Sequence, residues 1–508
     1  MRLSYTIEDY ISLPYFQRTN IFTAVSILII MILFWSCSAV GPDYQKPEVK
    51  TPDTWQQKIN VELSKGPEAS IQTWWQIFAD TTLNNLVEQA RQSNLDLQTA
   101  FSRVLEARAA LAVVRGEEWP TVNADGDVSY RKLSDDGVFR QIAPENGFDP
   151  QGLISLNIDA IWEIDVFGRI RRQVESEQAL FEASIEEYRD VLVTLFAEVA
   201  LNYIDVRAYQ QRILNANENI ESQQMILQLA EIRFNSGLTS KLDVAQARYN
   251  LAQTKSALPI LEIGLNYAIN RLELLLDVKS DSLRTMLMQT GPLPMPEQTI
   301  ETGIPADVLR QRPDIRFAER ILASRTADVG VVTADLYPTF SLSGFFGLGS
   351  VSVSNLFNPS SFKWGFALPF SWAVFDRDRI YSNITANEER ARQSLLQYYN
   401  TINKAYEEVD NAIVSYNNYS IRTDYLTEGV EANKEAVDLV TIQYDKGLTD
   451  FQNVLDTQRS LFQQQDDLLQ SETQVVVELV ALYKALGGGW DSQADSTAVP
   501  IKDLKEEE

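Results

Sequence analysis

The chain has no histidine and only one cysteine in its 508 residues. Without imidazole, no side chain titrates near neutrality unless perturbed, and the commonest zinc ligand is missing. A single thiol excludes intrachain disulfides, cysteine-based zinc clusters and c-type haem attachment. Basic residues are scarce: 44 Lys and Arg stand against 70 Asp and Glu, a formal net charge of −26. Such a chain repels phosphate backbones and has no basic patch for counterion release, so nucleic acid is not an expected partner. No nucleophile, base and orienting residue converge without histidine, and the expectation is no catalytic residue, no metal and no cofactor beyond a covalent lipid.

That lipid is expected from the N-terminus. Arg18 precedes the uncharged run 21–35, which at about fifteen residues is short of the roughly twenty that span a bilayer. It reads as the apolar core of a signal peptide, 1–36. The run ends Phe34-Trp35-Ser36-Cys37, where a diacylglycerol would be attached and a new N-terminus cut. An uncleaved anchor and a buried free thiol are the competing readings. Ser38, where an Asp would signal inner-membrane retention, points to delivery to the outer membrane.

With 45% apolar content the mature chain can bury a large core, and it carries an internal duplication. Val113-Val114, Trp119-Pro120-Thr121-Val122 and Gly126 recur as Val331-Val332, Tyr337-Pro338-Thr339-Phe340 and Gly344, an offset of about 218 residues. Trp162, Arg169, Ile170, Gly237, Leu238 and Thr239 recur as Trp372, Arg379, Ile380, Gly447, Leu448 and Thr449, at about 210. A longer first loop, around 133–150, accounts for the difference. The expected organisation is a lipidated segment with part of an equatorial region (37–82), a first repeat (83–298), a second repeat (299–490) and an acidic tail (491–508). Each repeat reads helix, strand, strand, very long helix, glycine turn, helix.

The strands alternate with period two. Ile154, Leu156, Ile158, Ala160, Trp162, Ile164 and Val166 share one face, and Ser155, Asn157, Asp159, Glu163 and Asp165 the other. Phe362, Trp364, Phe366, Leu368, Phe370, Trp372 and Val374 repeat the pattern, with Pro369 expected to interrupt the ladder. Val122, Ala124, Gly126, Val128 and Tyr130 form a third such row, and Phe340, Leu342, Phe346 and Leu348 a weaker fourth. A soluble sandwich would also alternate, but several Phe and Trp on the outward face fit a lipid-facing barrel wall. Four strands cannot close a barrel, so the barrel must be shared between chains.

Residues 169–236 contain neither Pro nor Gly, enough for a helix on the order of 100 Å long. The second copy, 377–446, is interrupted only by Gly429. Such lengths suit coiled-coil packing or a helical tube. A cytosolic coiled coil would explain neither the signal peptide nor the aromatic strand before each helix. Each long helix ends at a glycine turn with a left-handed C-cap, Gly237-Leu238-Thr239 and Gly447-Leu448-Thr449.

Taken in order, several segments resemble the outer membrane factor family, the TolC-like exit ducts of tripartite pumps, and within it the NodT/CusC-type lipoprotein branch. They are Cys37 with Val40-Gly41-Pro42-Asp43-Tyr44 and Pro47, Trp74-Trp75 with Phe78, Trp162-Glu163-Ile164-Asp165-Val166-Phe167-Gly168-Arg169, and Ile304-Pro305-Ala306-Asp307-Val308-Leu309 with Arg312-Pro313-Asp314. The resemblance covers nearly all of the mature chain. It implies an α plus transmembrane-β fold: a homotrimer sharing a twelve-stranded outer-membrane barrel, with a periplasmic α-helical barrel and a mixed equatorial domain. It further implies that a periplasmic adaptor (membrane fusion protein) docks on the turns at Gly237, Leu238, Thr239, Gly447, Leu448 and Thr449, and that the return helices untwist to open a closed tip.

The family's return-helix acid matches Val454-Leu455-Asp456, so the resemblance implies a ring of Asp456 carboxylates at the periplasmic aperture, with Asp450 and Asp445 as further candidates. An ordinary solvated carboxylate is the competing reading of Asp456. The sequence departs from the pattern at Gln452, where relatives can carry a hydrophobic constriction residue, and at Asn453, where some carry another acid. The expected function is a passive duct, anchored in outer-membrane lipid and extending into the periplasm, coupled through the adaptor to an inner-membrane transporter. RND-type drug efflux is the first assignment, and metal-ion efflux or type I protein secretion the alternative. A lipoprotein scaffold or adhesin that makes no pore is the competing class.

Overall fold

A computed structural model describes residues 39–48, 71–134, 149–296 and 311–491. Cys37, the segment 304–309 and the acidic tail beyond Asp491 lie outside these residues. The chain divides into two compact units. One comprises Met1–Lys46, Ala107–Phe181 and Arg320–Leu395, the other Pro47–Glu106, Glu182–Glu319 and Leu396–Glu508.

In chain order the elements are α1 (Thr81–Ser93), α2 (Leu95–Arg115), β1 (Thr121–Arg131), β2 (Gln151–Ile164), α3 (Arg169–Asn235), α4 (Lys241–Leu275) and α5 (Asp281–Met288), then α6 (Pro313–Ala334), β3 (Thr339–Ser350), β4 (Phe362–Ala367), β5 (Phe370–Ser371), α7 (Arg377–Asp445) and α8 (Phe451–Ala485). The helix-strand-strand-helix-helix order appears twice, as the duplication requires. It extends to single hydrogen bonds. The Trp162 indole donates to the Glu118 carbonyl at 3.0 Å, and its repeat counterpart Trp372 donates to the Leu336 carbonyl at 3.1 Å.

In the first unit the strands form one antiparallel sheet in the order β1-β2-β3-β4, with β5 also paired to β3. The register joins the apolar positions across it. Leu156 faces Gly126 and Leu348, Ile158 faces Ala124 and Phe346, and Phe346 in turn faces Trp364. This face is open in the single chain: Val128 is 81% exposed, Phe366 79% and Trp364 64%. The opposite face carries Asn123, Asp125 and Asp127 beside Asp159, Asn157 and Ser155. Pro369 breaks the fourth strand into β4 and β5, since it has no N–H for the ladder, while its carbonyl still accepts from the Ser341 amide at 3.0 Å.

Two expectations are corrected here. β2 stops at Ile164 and β5 at Ser371, so Val166, Trp372 and Val374 are not strand residues. Asp165, read as part of the polar strand face, instead closes the N-terminus of α3, accepting from the Ile170 and Arg171 amides at 3.2 and 3.0 Å. A carboxylate there offsets both the orphan donors and the positive end of the helix dipole.

The second unit is built on an aromatic cluster. Trp74, fully buried, stacks on Tyr483 at 5.7 Å and meets Phe78 edge-on at 6.4 Å, while Trp75 meets Phe196 at 4.9 Å. α8 is followed by Gly487, whose φ of +74° suits glycine, and the chain then turns back so that Trp490 packs against Arg189 and Arg316 at 4.5 and 5.2 Å. Tyr203, buried, donates to Asp80 at 2.6 Å and accepts from Arg207 at 3.0 Å. Burial first, then the Asp80 carboxylate, pushes its phenol up to about 12. Pro313 opens α6 at a position where its missing N–H leaves no bond unmade, and the Arg312 guanidinium donates to the Ala485 carbonyl at 2.7 Å.

Candidate functional site

The two glycine turns are built alike. α3 closes with the Gly237 amide on Phe234 O (2.9 Å) and the Leu238 amide on Arg233 O (2.8 Å), and α7 with Gly447 on Tyr444 O and Leu448 on Gln443 O, both at 2.9 Å. Paired bonds of this kind with glycine at φ +73° and +72° make two Schellman caps. Leu238 and Leu448 project from them, 66% and 74% exposed. Thr239 and Ser240 both donate to Asp243, which fixes the start of α4, while the Asn453 amide side chain donates to Thr449 at 2.8 Å at the start of α8.

Behind the turns the four helix ends share one apolar core: Ile226 and Ala230 of α3, Val244 and Ala247 of α4, Tyr444 of α7, and Phe451, Val454 and Leu455 of α8. Arg233 ties the copies together. Its guanidinium lies over the Tyr444 ring at 4.7 Å and donates to the Asp445 carbonyl at 2.8 Å.

Of the expected aperture residues, Asp445 is the last residue of α7 and Asp450 is the residue before α8, with no side-chain capping bond. Asp456 lies on the exposed side of α8. Both its oxygens accept from Gln452, at 2.9 and 3.0 Å, and Arg459 stands 3.8 Å away. Gln452, where the sequence departs from the family pattern, also accepts from Gln246 of α4 at 3.4 Å.

Further along, α8 is fastened by contacts that leave no local trace in the sequence. Arg212 of α3 donates to both oxygens of Asp466 at 2.7 and 3.0 Å. Asn219 donates to Gln465 at 3.1 Å, and Thr423 of α7 donates to Ser471 at 2.9 Å. A mid-helix Arg and Asp 254 residues apart announce nothing until the fold brings them together. Pro259, inside α4, is likewise unforeseen; the helix continues through it.

A cavity of about 550 Å³ opens among α3, α6, α7 and α8, lined by Asp190, Arg312, Glu408, Glu478 and Lys484. Burial first, then the nearby Asp314 carboxylate, holds Asp190 above the usual carboxylate range, and burial raises Glu478 too. Among the described residues no three Cys, Asp or Glu side chains gather as a metal site, and no helix is long and apolar enough to cross a membrane.

The sequence matches the outer membrane efflux protein family over residues 86–277 and 304–488. The solvent efflux pump outer membrane protein SrpC of Pseudomonas putida is 30% identical, covering 91% of this chain and 97% of that protein. The pyoverdine export outer membrane protein OpmQ of P. putida is 31% identical over 88% and 93%. The solved structure of the outer-membrane channel OprN superposes with a TM-score of 0.82 at 35% identity, covering 89% of this chain and 99% of that one. The exposed aromatic face of the sheet, the duplicated helix pairs and these matches agree, and the chain belongs to the outer membrane efflux protein family, as a TolC-like, non-enzymatic channel of the outer membrane that extends into the periplasm.

Proposed function

We propose that this chain is one third of a passive exit duct, a homotrimer coupled through a periplasmic adaptor to an inner-membrane pump. The observation that carries the reading is the sheet. β1 pairs only with β2 and β4 only with β3 among the described residues, so both edges are open while the aromatic face is exposed. Unpaired backbone donors and acceptors are not tolerated in hydrocarbon, and four strands are half of the smallest membrane barrel. Three copies supply twelve strands and satisfy both demands.

Cys37, two residues before the described Ala39, would carry the lipid anchor in outer-membrane lipid. The exposed Leu238 and Leu448 make the two turns suitable docking points for the adaptor, flanked by Gly237, Thr239, Gly447 and Thr449. Threefold repetition would turn Asp456 into an acidic ring that favours cations at a narrow aperture, with Asp450 and Asp445 adding to it. RND-type drug efflux is the assignment favoured for the whole system, supported by relatives whose names record solvent and pyoverdine export. Native mass spectrometry of the detergent-purified protein tests the assembly: a three-copy species carrying acylated N-termini supports it, and a monomer in every detergent sinks it.

A further inference from the structure

The motif Val40-Gly41-Pro42-Asp43-Tyr44 is explained neither by the duct nor by the turns. It lies at the junction between β2 and α3. The Val40 amide donates to the Phe167 carbonyl at 3.0 Å. Arg172, whose side chain is only 6% exposed, donates to the Val40 carbonyl at 3.1 Å and the Gly41 carbonyl at 3.5 Å, and pairs with Asp43 at 2.6 Å. Its remaining nitrogen holds Glu175 at 2.7 Å. Arg320 sits over the Tyr44 ring at 5.6 Å.

Three glycines make this approach possible. Gly41 has φ +90°, and a Cβ there would overlap the Cα of Gly330 in α6. Gly168 has φ +82°, and a Cβ there would overlap Ala39. A Cβ on Gly330 would come within 2.8 Å of the Arg172 Cγ. Backbone therefore lies directly on backbone, under a buried guanidinium.

The duplication supplies an internal control. At the matching positions of the other copy, Gly168 is replaced by Asp378, Arg172 by Ser382 and Gly330 by Ala112. Each residue that makes room for, or holds, the 39–44 segment is changed at the other junction, where no backbone bond from such a segment is made among the described residues. The arrangement is therefore dedicated to one junction in each chain and is not a by-product of the repeat.

We propose that Gly168, Arg172 and Gly330 form a seat for the segment directly behind Cys37, which fixes where the anchor enters the membrane and couples anchoring to assembly of the sheet. The inference rests on the reading that Cys37 is lipidated. At full extension the two backbone steps from Ala39 through Ser38 to Cys37 reach about 7 Å, so the diacylglycerol is held near the foot of β2, on the side where the apolar strands end. Seating also orders Phe167 and Arg172 at the start of α3, so an unseated chain has an incomplete junction between sheet and helix.

The test uses the full chain produced in a diderm host. Gly41→Val and Gly330→Val disturb the seat from its two sides, and Asp378→Ala is the control at the other junction. Three readouts are taken: the mass of the N-terminal lipopeptide, amide exchange of the 39–46 peptide, and the fraction recovered from outer membranes as detergent-resistant oligomer. Both seat variants are expected to be acylated, to exchange about tenfold faster, the effect of losing roughly one charge-assisted hydrogen bond, and to yield several-fold less oligomer; the control matches wild type. Acylated seat variants that exchange and assemble like wild type overturn the proposal. So does a defect in Gly330→Val alone, which would indict α6 and not the seat. A wild-type N-terminus without acyl mass is separately recognisable and removes the lipidation reading together with the anchor's role.

Discussion

Arg212 and Asp466 meet through two hydrogen bonds of 2.7 and 3.0 Å, joining the middle of α3 in the first repeat to α8 in the second. Their side chains are 24% and 21% exposed, so the pair is partly withdrawn from solvent screening. Paired geometry of this kind makes a guanidinium–carboxylate contact stronger than an exposed ion pair. Replacing one partner leaves a half-buried charge without its counterion, at about 1–3 kcal/mol. Arg212→Ala is expected to lower the thermal dissociation temperature of the detergent-purified oligomer and to loosen α8. Asp466→Asn should do the same less severely. The exchanged pair Arg212→Asp with Asp466→Arg should recover part of the loss, and equal loss in the single and double variants would contradict a direct pairing.

The two faces of the sheet give opposite expectations. Trp364 lies on the aromatic face and its neighbour Lys363 on the other. An arginine on a lipid-facing barrel position near mid-membrane costs about 2–4 kcal/mol. Trp364→Arg should therefore deplete the protein from outer membranes, whereas Lys363→Glu should leave its level near wild type. Fractionation followed by quantitative immunodetection checks both. A reversed order would put the wrong face in lipid.

At the turns, the effect is expected in the backbone. A Cβ added to Gly237 would meet nothing within 4 Å, so space is not what demands glycine there. Its φ of +73° does, and a non-glycine residue in the left-handed region costs about 1–2 kcal/mol. Gly237→Val and Gly447→Val should each destabilise the turn, while Gly237→Asn, which tolerates that region, should cost less. Drug-susceptibility complementation together with amide exchange at the turns reads the series. Asn and Val behaving alike would argue for lost docking and not for strain.

The pH dependence follows from four acids that are partly desolvated on the helices of the second unit. Burial raises Asp190, Asp205, Glu472 and Glu478 above their ordinary range, with the Asp314 charge adding to the effect on Asp190. Each binds its proton more tightly folded than unfolded. On acidification towards the ordinary carboxylate range the folded state takes up protons first and gains stability relative to the unfolded chain; below that range both states are protonated and the gain is complete. Thermal dissociation measured across that range should rise on acidification, and Asp190→Asn with Glu478→Gln should flatten the slope. A fall over the same range would contradict it.

The fold was legible where periodicity or repetition recorded it. The aromatic alternation around Trp364 and the absence of Pro and Gly between 169 and 235 are chain-local facts, and the structure follows them closely. Residues at the ends of elements were harder to read, because Asp165 has the same polarity whether it faces a strand's polar side or caps a helix. Contacts such as Arg212 with Asp466, or Arg172 with Val40 and Asp43, depend on which distant segments meet, and no local pattern carries that. The turns at Gly237 and Gly447 were readable as caps. The docking role proposed for them came only through the family resemblance.

The most direct test of the duct is single-channel conductance of the purified protein in planar bilayers, recorded for wild type, Asp456→Ala and Arg212→Ala. The account predicts trimer-sized steps, changed in cation preference by Asp456→Ala and made larger or more frequent by Arg212→Ala, which frees α8. Conductance untouched by Asp456→Ala would keep the duct and remove that residue from its aperture. Silence from all three proteins, with an intact oligomer in the membrane, would contradict the duct itself.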